Sequence, residues 1–220
     1  MQSSEIDPSV EKRLIVLREL IELQDIYTIT SARSALVAGA LSTLVAAAIF
    51  ANDELVRITD RPVRSQAFVF VWTVVLVLAA TVSAFFLRDT LAKAGKEISW
   101  ARIKFVLATT APCLLVPIAF TSWFLSTGYL GGAEVELVIA WIAFYGLTLL
   151  STSAFAPSYI APLGWVFLLT ALSVPLLEDR LEVRIEDFPV LLMGGTFGLY
   201  HLVYAAVVWP RLRRPELEQN

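Results

Sequence analysis

A single histidine stands in this chain of 220 residues, His201, in the middle of a long apolar run. An imidazole can exchange a proton near neutral pH, ligate a metal, or hold a neutral ligand by a hydrogen bond. On a helix its neighbours are Gly194, Gly198 and Ala205, with Phe197 one turn before. Small residues line helix–helix contacts, so this spacing predicts a His201 that faces other helices and not lipid. Upstream, Trp141, Tyr145, Thr148 and Thr152 follow one another at spacings of 4, 3 and 4, which puts all four on one helical face. Ser151 and Ser153 flank that stripe. Together with Tyr200, His201 and Tyr204 it would line a small polar pocket. The expected ligand-binding residues are therefore His201, Tyr145, Thr148, Thr152 and Tyr204. The competing expectation is plain interhelical hydrogen bonding, which needs no ligand and contributes about 0.6 kcal/mol per pair on average.

The residues that are missing exclude more than those present suggest. Ion-coupled pumps and transporters usually place carboxylates or basic groups inside the membrane. The six apolar blocks of this chain contain no Asp, Glu, Lys or Arg. A retinal site would need a buried lysine with its counter-ion. A haem could take one axial ligand from His201 and would need a second subunit for another histidine. No P-loop, no zinc-type histidine–glutamate pair and no triad containing the one histidine can be assembled. The sequence thus predicts no catalytic residues, no metal and no cofactor. The lone Cys113 cannot form an internal disulfide, and a net charge of −3 points to no nucleic acid.

The elements that must position these side chains follow from hydropathy. Hydrophobic residues make up 57% of the chain and charged ones 17%, against roughly 45–50% and 25% in a soluble domain. The excess lies in uninterrupted blocks: Ser34–Ala51, Ala67–Leu87, Phe105–Thr127, Leu137–Ala156, Tyr159–Leu177 and Phe188–Trp209. About 20 apolar helical residues cross a bilayer core, and the blocks are apolar on every face, unlike membrane strands. The expected fold is all-α: a polytopic bundle of about six spans over residues 33–210. An amphipathic cytoplasmic helix (1–32) precedes it and a cytoplasmic tail (211–220) follows. The first span would serve as an uncleaved signal anchor.

Local signals mark the joints. Asp7 and Pro8 suit a helix start. Glu11, Arg18, Glu22 and Asp25 share one face of that helix, and Val10, Leu14, Leu17, Leu20 and Ile21 the other. Its acidic groups outnumber its basic ones, so it lacks the cationic face of a helix drawn to anionic lipid. It would lie against the protein's own mouth or the interface, or dock a partner or a second copy. Thr28, Thr30 and Ser31 are expected to interrupt it, and Arg61-Pro62 to act as a helix stop. The first span carries a smooth stripe of Ala35, Gly39, Ser42 and Ala46. The second continues toward a C-cap at Gly95, and Ser99 would cap the third. Pro112 and Pro117 predict a kink in the third span, with Thr109 and Thr110 near the freed carbonyls. A turn at Pro157 makes a tight hairpin of spans four and five. Trp100, Trp123 and Trp209 fall near span ends.

Orientation follows from the basic residues. Lys12, Arg13, Arg18, Arg33, Arg88, Lys93, Lys96, Arg102, Lys104, Arg211, Arg213 and Arg214 fall on one side of a six-span layout. Arg57, Arg61, Arg64, Arg180 and Arg184 fall on the other. That asymmetry puts both termini in the cytoplasm.

The stretch Trp141–Trp165, with its TrpIleAlaPheTyrGlyLeu, SerAlaPheAlaPro and LeuGlyTrp segments, resembles a loose group of uncharacterised bacterial six-span proteins. MetGlyGlyThrPheGlyLeuTyrHisLeuValTyr at Met193–Tyr204 is similar to that group's last span. The resemblance implies a bacterial inner-membrane location and the six-span layout, and carries no activity with it. The expected role is non-enzymatic: a regulatory, sensory or scaffolding subunit, partnered by the lipid bilayer and by a protein or second copy at the N-terminal helix. The alternative is a transporter or channel subunit for a small neutral or apolar molecule. A ligand-sized cavity at His201 and Tyr145 would favour the latter, a filled bundle the former.

Overall fold

The computed structural model describes residues 8–52, 61–95, 100–126, 134–153, 156, 158–177 and 188–212. Within these, the side chains of 8–26, 61–64, 100–103, 105–107, 177 and 211–212 are not described. Every regular element among the described residues is a helix: α1 (Pro8–Ala51), α2 (Arg61–Lys93), α3 (Trp100–Ser126), α4 (Glu134–Thr152) and α5 (Ile160–Leu177), followed by a last rod. That rod consists of α6 (Phe188–Met193), a π-helical segment (Gly194–Tyr200) and α7 (His201–Leu212). Five stretches are long and apolar enough to cross a membrane: Tyr27–Ala51, Ser65–Lys93, Ala108–Ser126, Glu134–Thr152 and Phe188–Pro210. The helix at Ile160–Leu176 is apolar but shorter. The whole of α5, 18 residues to Leu177, reaches about 27 Å at 1.5 Å per residue, just under a ~30 Å hydrocarbon core. Large apolar side chains such as Phe70, Leu76, Leu115, Ile118 and Leu172 point outward, as side chains do where lipid is the solvent.

Two expected interruptions are absent. The helix does not break at Thr28–Ser31, because α1 runs through from Pro8 to Ala51. Serine and threonine compete with a helix only when their hydroxyls capture backbone groups outside it. Here Ser31 Oγ bonds the Thr28 carbonyl within the helix at 3.0 Å. Nor is Arg61-Pro62 a stop: α2 begins at Arg61, and a proline in the first turn loses no intrahelical bond. The other end is as expected. Gly95 has φ 63° and donates to the Ala92 carbonyl, beside an Ala94 to Thr90 bond. α3 stays helical through Pro112 and Pro117. The Asp7 and Ser99 caps, the turn at Pro157 and the tail from residue 213 lie outside the described residues, as do the side chains of the amphipathic face and Trp100. Of the other belt tryptophans, Trp123 is exposed and Trp209 packs partly buried beside Val208.

Two glycine crossings hold the bundle together. In the first, the small stripe of α1 meets the glycines of the last rod. A Cβ on Gly39 would sit 2.9 Å from the Gly198 carbonyl oxygen and 2.9 Å from the Leu202 nitrogen. One on Gly198 would sit 2.5 Å from Thr43 Oγ1, and one on Gly194 2.8 Å from Ala46 Cβ. In the second, α4 meets α5. A Cβ on Gly146 would reach the Gly164 oxygen at 2.9 Å, and one on Gly164 the Gly146 oxygen at 3.0 Å. Lipid provides no hydrophobic drive between helices, so this close approach is how they gain dispersion contact. Around the crossings lies a core of Trp72, Val75, Val138, Ile142, Phe167 and Met193. A second cluster of Val69, Phe124 and Leu137 joins α2, α3 and α4 at the end remote from the N-terminus.

Candidate functional site

His201 opens α7, directly after the π-helical segment, and only 6% of its surface is exposed. The small residues around it do what their spacing predicts: Gly194 and Gly198 bring α1 close, and the imidazole faces inward. Its Nε2 lies 2.7 Å from the Tyr145 hydroxyl. The phenol is the obligatory donor if the ring is neutral with its proton on Nδ1, the tautomer that leaves Nε2 as acceptor. Nδ1 is buried and makes no hydrogen bond of ordinary geometry. The carbonyls of Thr196 and Phe197 are close to the ring without meeting that geometry. These are the carbonyls five and four residues back along the same rod, where a π-helical segment precedes the histidine.

Aromatic rings surround this pair. The Tyr145 ring centroid is 4.9 Å from Phe167 and 5.1 Å from Phe197. Phe167 meets His201 and Tyr200 at 5.5 Å each, both edge-on. Phe197 stacks near-parallel on His201 at 6.3 Å. Edge-to-face pairs of this kind add about 0.5–1.5 kcal/mol beyond area burial. Phe167 is fully buried at the centre. The space beside Tyr145 and His201 is thus occupied by side chains.

The expected polar pocket divides into separate contacts. Of its residues only Tyr145 and His201 bond each other. Thr148 Oγ1 donates to the Phe144 carbonyl at 2.8 Å and Thr152 Oγ1 to Leu149 at 2.9 Å, both within α4. Ser151 and Ser153 likewise bond their own helix. The Tyr204 hydroxyl pairs with Ser31 Oγ at 3.0 Å and ties α7 to α1. The Tyr200 hydroxyl pairs with Thr170 Oγ1 at 2.9 Å and ties the rod to α5. Trp141 Nε1 donates to Thr121 Oγ1 at 2.9 Å and ties α4 to α3. A stripe that shares one face in sequence reaches several neighbours in space, because α4 is contacted from more than one side.

Block reading passed over one polar contact altogether. Ser65 Oγ donates to Glu134 Oε1, and both residues are buried, Ser65 completely. They join the start of α4 to the second turn of α2 at the end remote from the N-terminus. Each lies just outside an apolar block, where a search for charges within spans does not look. The nearest signal was Glu134 with Glu136 in a first helical turn, where the dipole favours carboxylates. Among the described residues no group of three or more His, Cys, Asp or Glu is placed to hold a metal ion.

No family model matches the chain, and neither the curated proteins nor the solved structures contain a match.

Proposed function

We propose that the chain is a non-enzymatic, multi-pass membrane protein that acts as a regulatory or scaffolding subunit by docking a partner through its N-terminal helix. The observation that carries this reading is the continuity of α1. Residues 8–26 run into the membrane stretch Tyr27–Ala51 in one uninterrupted helix. A helix that turned to lie in the interface would need a break where Thr28–Ser31 stand. Without one, the segment whose sequence carries Val10, Leu14, Leu17 and Ile21 on one face continues in line with the span, and an apolar face that is not laid in the interface marks a protein contact. The closed aromatic centre supports the same reading, since a carrier would need space beside Tyr145 and His201. In this proposal α5 completes six crossings and the basic-residue asymmetry sets both termini in the cytoplasm. The membrane proposed is a bacterial inner one, as the resemblance at Trp141–Trp165 and Met193–Tyr204 implies.

Deleting residues 1–22 tests the proposal. Full-length and shortened chains are purified from their native membrane, unfolded thermally, and compared for what co-purifies with them. The expected result is an unchanged Tm together with loss of one stoichiometric partner from the shortened chain. An unchanged set of co-purifying proteins overturns the docking role. A large drop in Tm also overturns it, because the apolar face then belongs to the protein's own fold.

A further inference from the structure

At the end of the bundle where α1 enters the membrane stretch there is an open cleft of about 320 Å³, at the lower end of ligand-site sizes. Its wall is built from Tyr27, Thr30 and Ser34 of α1, Ser83 and Leu87 of α2, and Ile160 of α5, with Ser31, Ala84 and Ala156 between them. Among the described residues that line it there is neither Tyr145 nor His201, and no charged side chain.

The hydroxyls here behave in two ways. Ser83 Oγ donates to the Ala79 carbonyl at 2.7 Å, and Ser31 is shared between Thr28 and Tyr204. That is the ordinary fate of a helical hydroxyl in an apolar surrounding, as at Thr43, Thr73 and Thr90. Thr30 Oγ1 and Ser34 Oγ are buried and make no hydrogen bond at all. Thr30 is 7% exposed. The two stand four residues apart, one turn above the other on the same face of α1. An unpaired buried hydroxyl is a standing cost to the fold, and valine or alanine would avoid it. Two such costs at adjacent turns, both beside a cleft, mark a site whose partner comes from outside the chain.

We infer that this cleft binds a neutral amphiphile, a molecule with an apolar tail and an alcohol or carbonyl head whose oxygen pairs with Thr30 and Ser34. The described lining carries no charge to pair with an ionic head, so the head inferred is an uncharged one. In the free protein the two oxygens are covered and the open wall is carbon. One staggered step in χ1 moves either oxygen to a different side of its Cβ, and a bound head group supplies the partner that rewards this step. The inference does not rest on the docking role of the N-terminal helix.

The test uses the full-length protein in nanodiscs with two photoreactive probes, a diazirine-tagged long-chain alcohol and diazirine-tagged phosphatidylglycerol. Labelled peptides are mapped for wild type and for the double variant Thr30→Val, Ser34→Ala. The alcohol should label residues 27–34 and 83–87 in wild type, and the double variant should lose about tenfold of that labelling. Without ligand the double variant should melt at the same temperature or roughly 2–4 °C higher, since it removes unpaired polar groups. Undiminished labelling of the double variant overturns the site. Equal labelling by phosphatidylglycerol also overturns it, because the cleft is then ordinary lipid contact. A clear fall in the variant's Tm overturns it too, because the hydroxyls then have partners within the protein.

Discussion

The two polar regions of the bundle differ in what surrounds their hydrogen-bonding groups, though each also holds a buried group without a partner, His201 Nδ1 at the centre and Thr30 and Ser34 at the end. At the centre, Tyr145 and His201 find each other at 2.7 Å, and rings occupy the space around them. At the end where α1 enters, Thr30 and Ser34 are buried beside an open cleft and bond to nothing. Polar residues inside a membrane bundle are therefore not one class. Those that bond a neighbouring helix specify how the helices pack, and the two hydroxyls beside the cleft are the ones we infer to meet a ligand.

The largest effect expected bears on the framework that keeps both regions apart. Gly198→Val would drive a side chain into Thr43 of α1, where a bare Cβ already comes within 2.5 Å of Oγ1 and 3.2 Å of the backbone nitrogen. Overpacking costs about 1–3 kcal/mol when neighbours can shift, and here part of the obstacle is backbone. We expect loss of the folded protein, or a Tm lowered by several degrees, read in detergent by thermal unfolding. A near-normal Tm would show that α1 and the last rod can separate cheaply.

A smaller effect is expected at the centre. Tyr145→Phe keeps the ring and leaves Nε2 of His201 buried without a partner, which should destabilise by about 1–2 kcal/mol. His201→Gln keeps a polar group at that place and should cost about 1 kcal/mol or less. If the pair only packs, the two changes alter stability and nothing else. Lost function of the glutamine variant at unchanged expression and Tm would make the centre a site, and so erase the contrast with the cleft.

Gly95→Ala should cost about 1 kcal/mol, because φ 63° is disfavoured for a residue with a Cβ although nothing lies within 4 Å of it. The smallest effect belongs to Thr148→Val. Its hydroxyl bonds only its own helix at Phe144, so the change should leave Tm within about 0.5 kcal/mol equivalent of wild type. A marked loss there would restore the polar stripe as a shared pocket.

Sequence was most legible where one residue type has one use in lipid. The stripe Ala35, Gly39, Ser42, Ala46 and the pair Gly194, Gly198 could be read separately as close-packing faces, and they pack on each other. The inward direction of His201 followed from the same glycines. Helix ends and polar partnerships were less legible. Thr30 and Ser31 read as breakers because hydroxyls tend to interrupt helices, yet they are used sideways, one toward Tyr204 and one beside the cleft. Ser65 and Glu134 were lost at block edges, where hydropathy stops being informative. Which neighbour Tyr204, Tyr200 or Trp141 would choose depends on the order of helices around the bundle, and no local pattern encodes that order.

The unbroken α1 also has a mechanical side. Residues 8–26 add about 28 Å of helix to the membrane stretch at 1.5 Å per residue. The arm has no hinge of its own at the membrane boundary, so a lean of the span is magnified at the far tip. A 10° change in tilt would sweep that tip through about 5 Å, given this length and a stiff rod. Ser31 and Tyr204 join at 3.0 Å near its base, beside Ala32 and Ala35 packed with Ala205 and Val208, so the arm leans only as far as α1 and the last rod lean together.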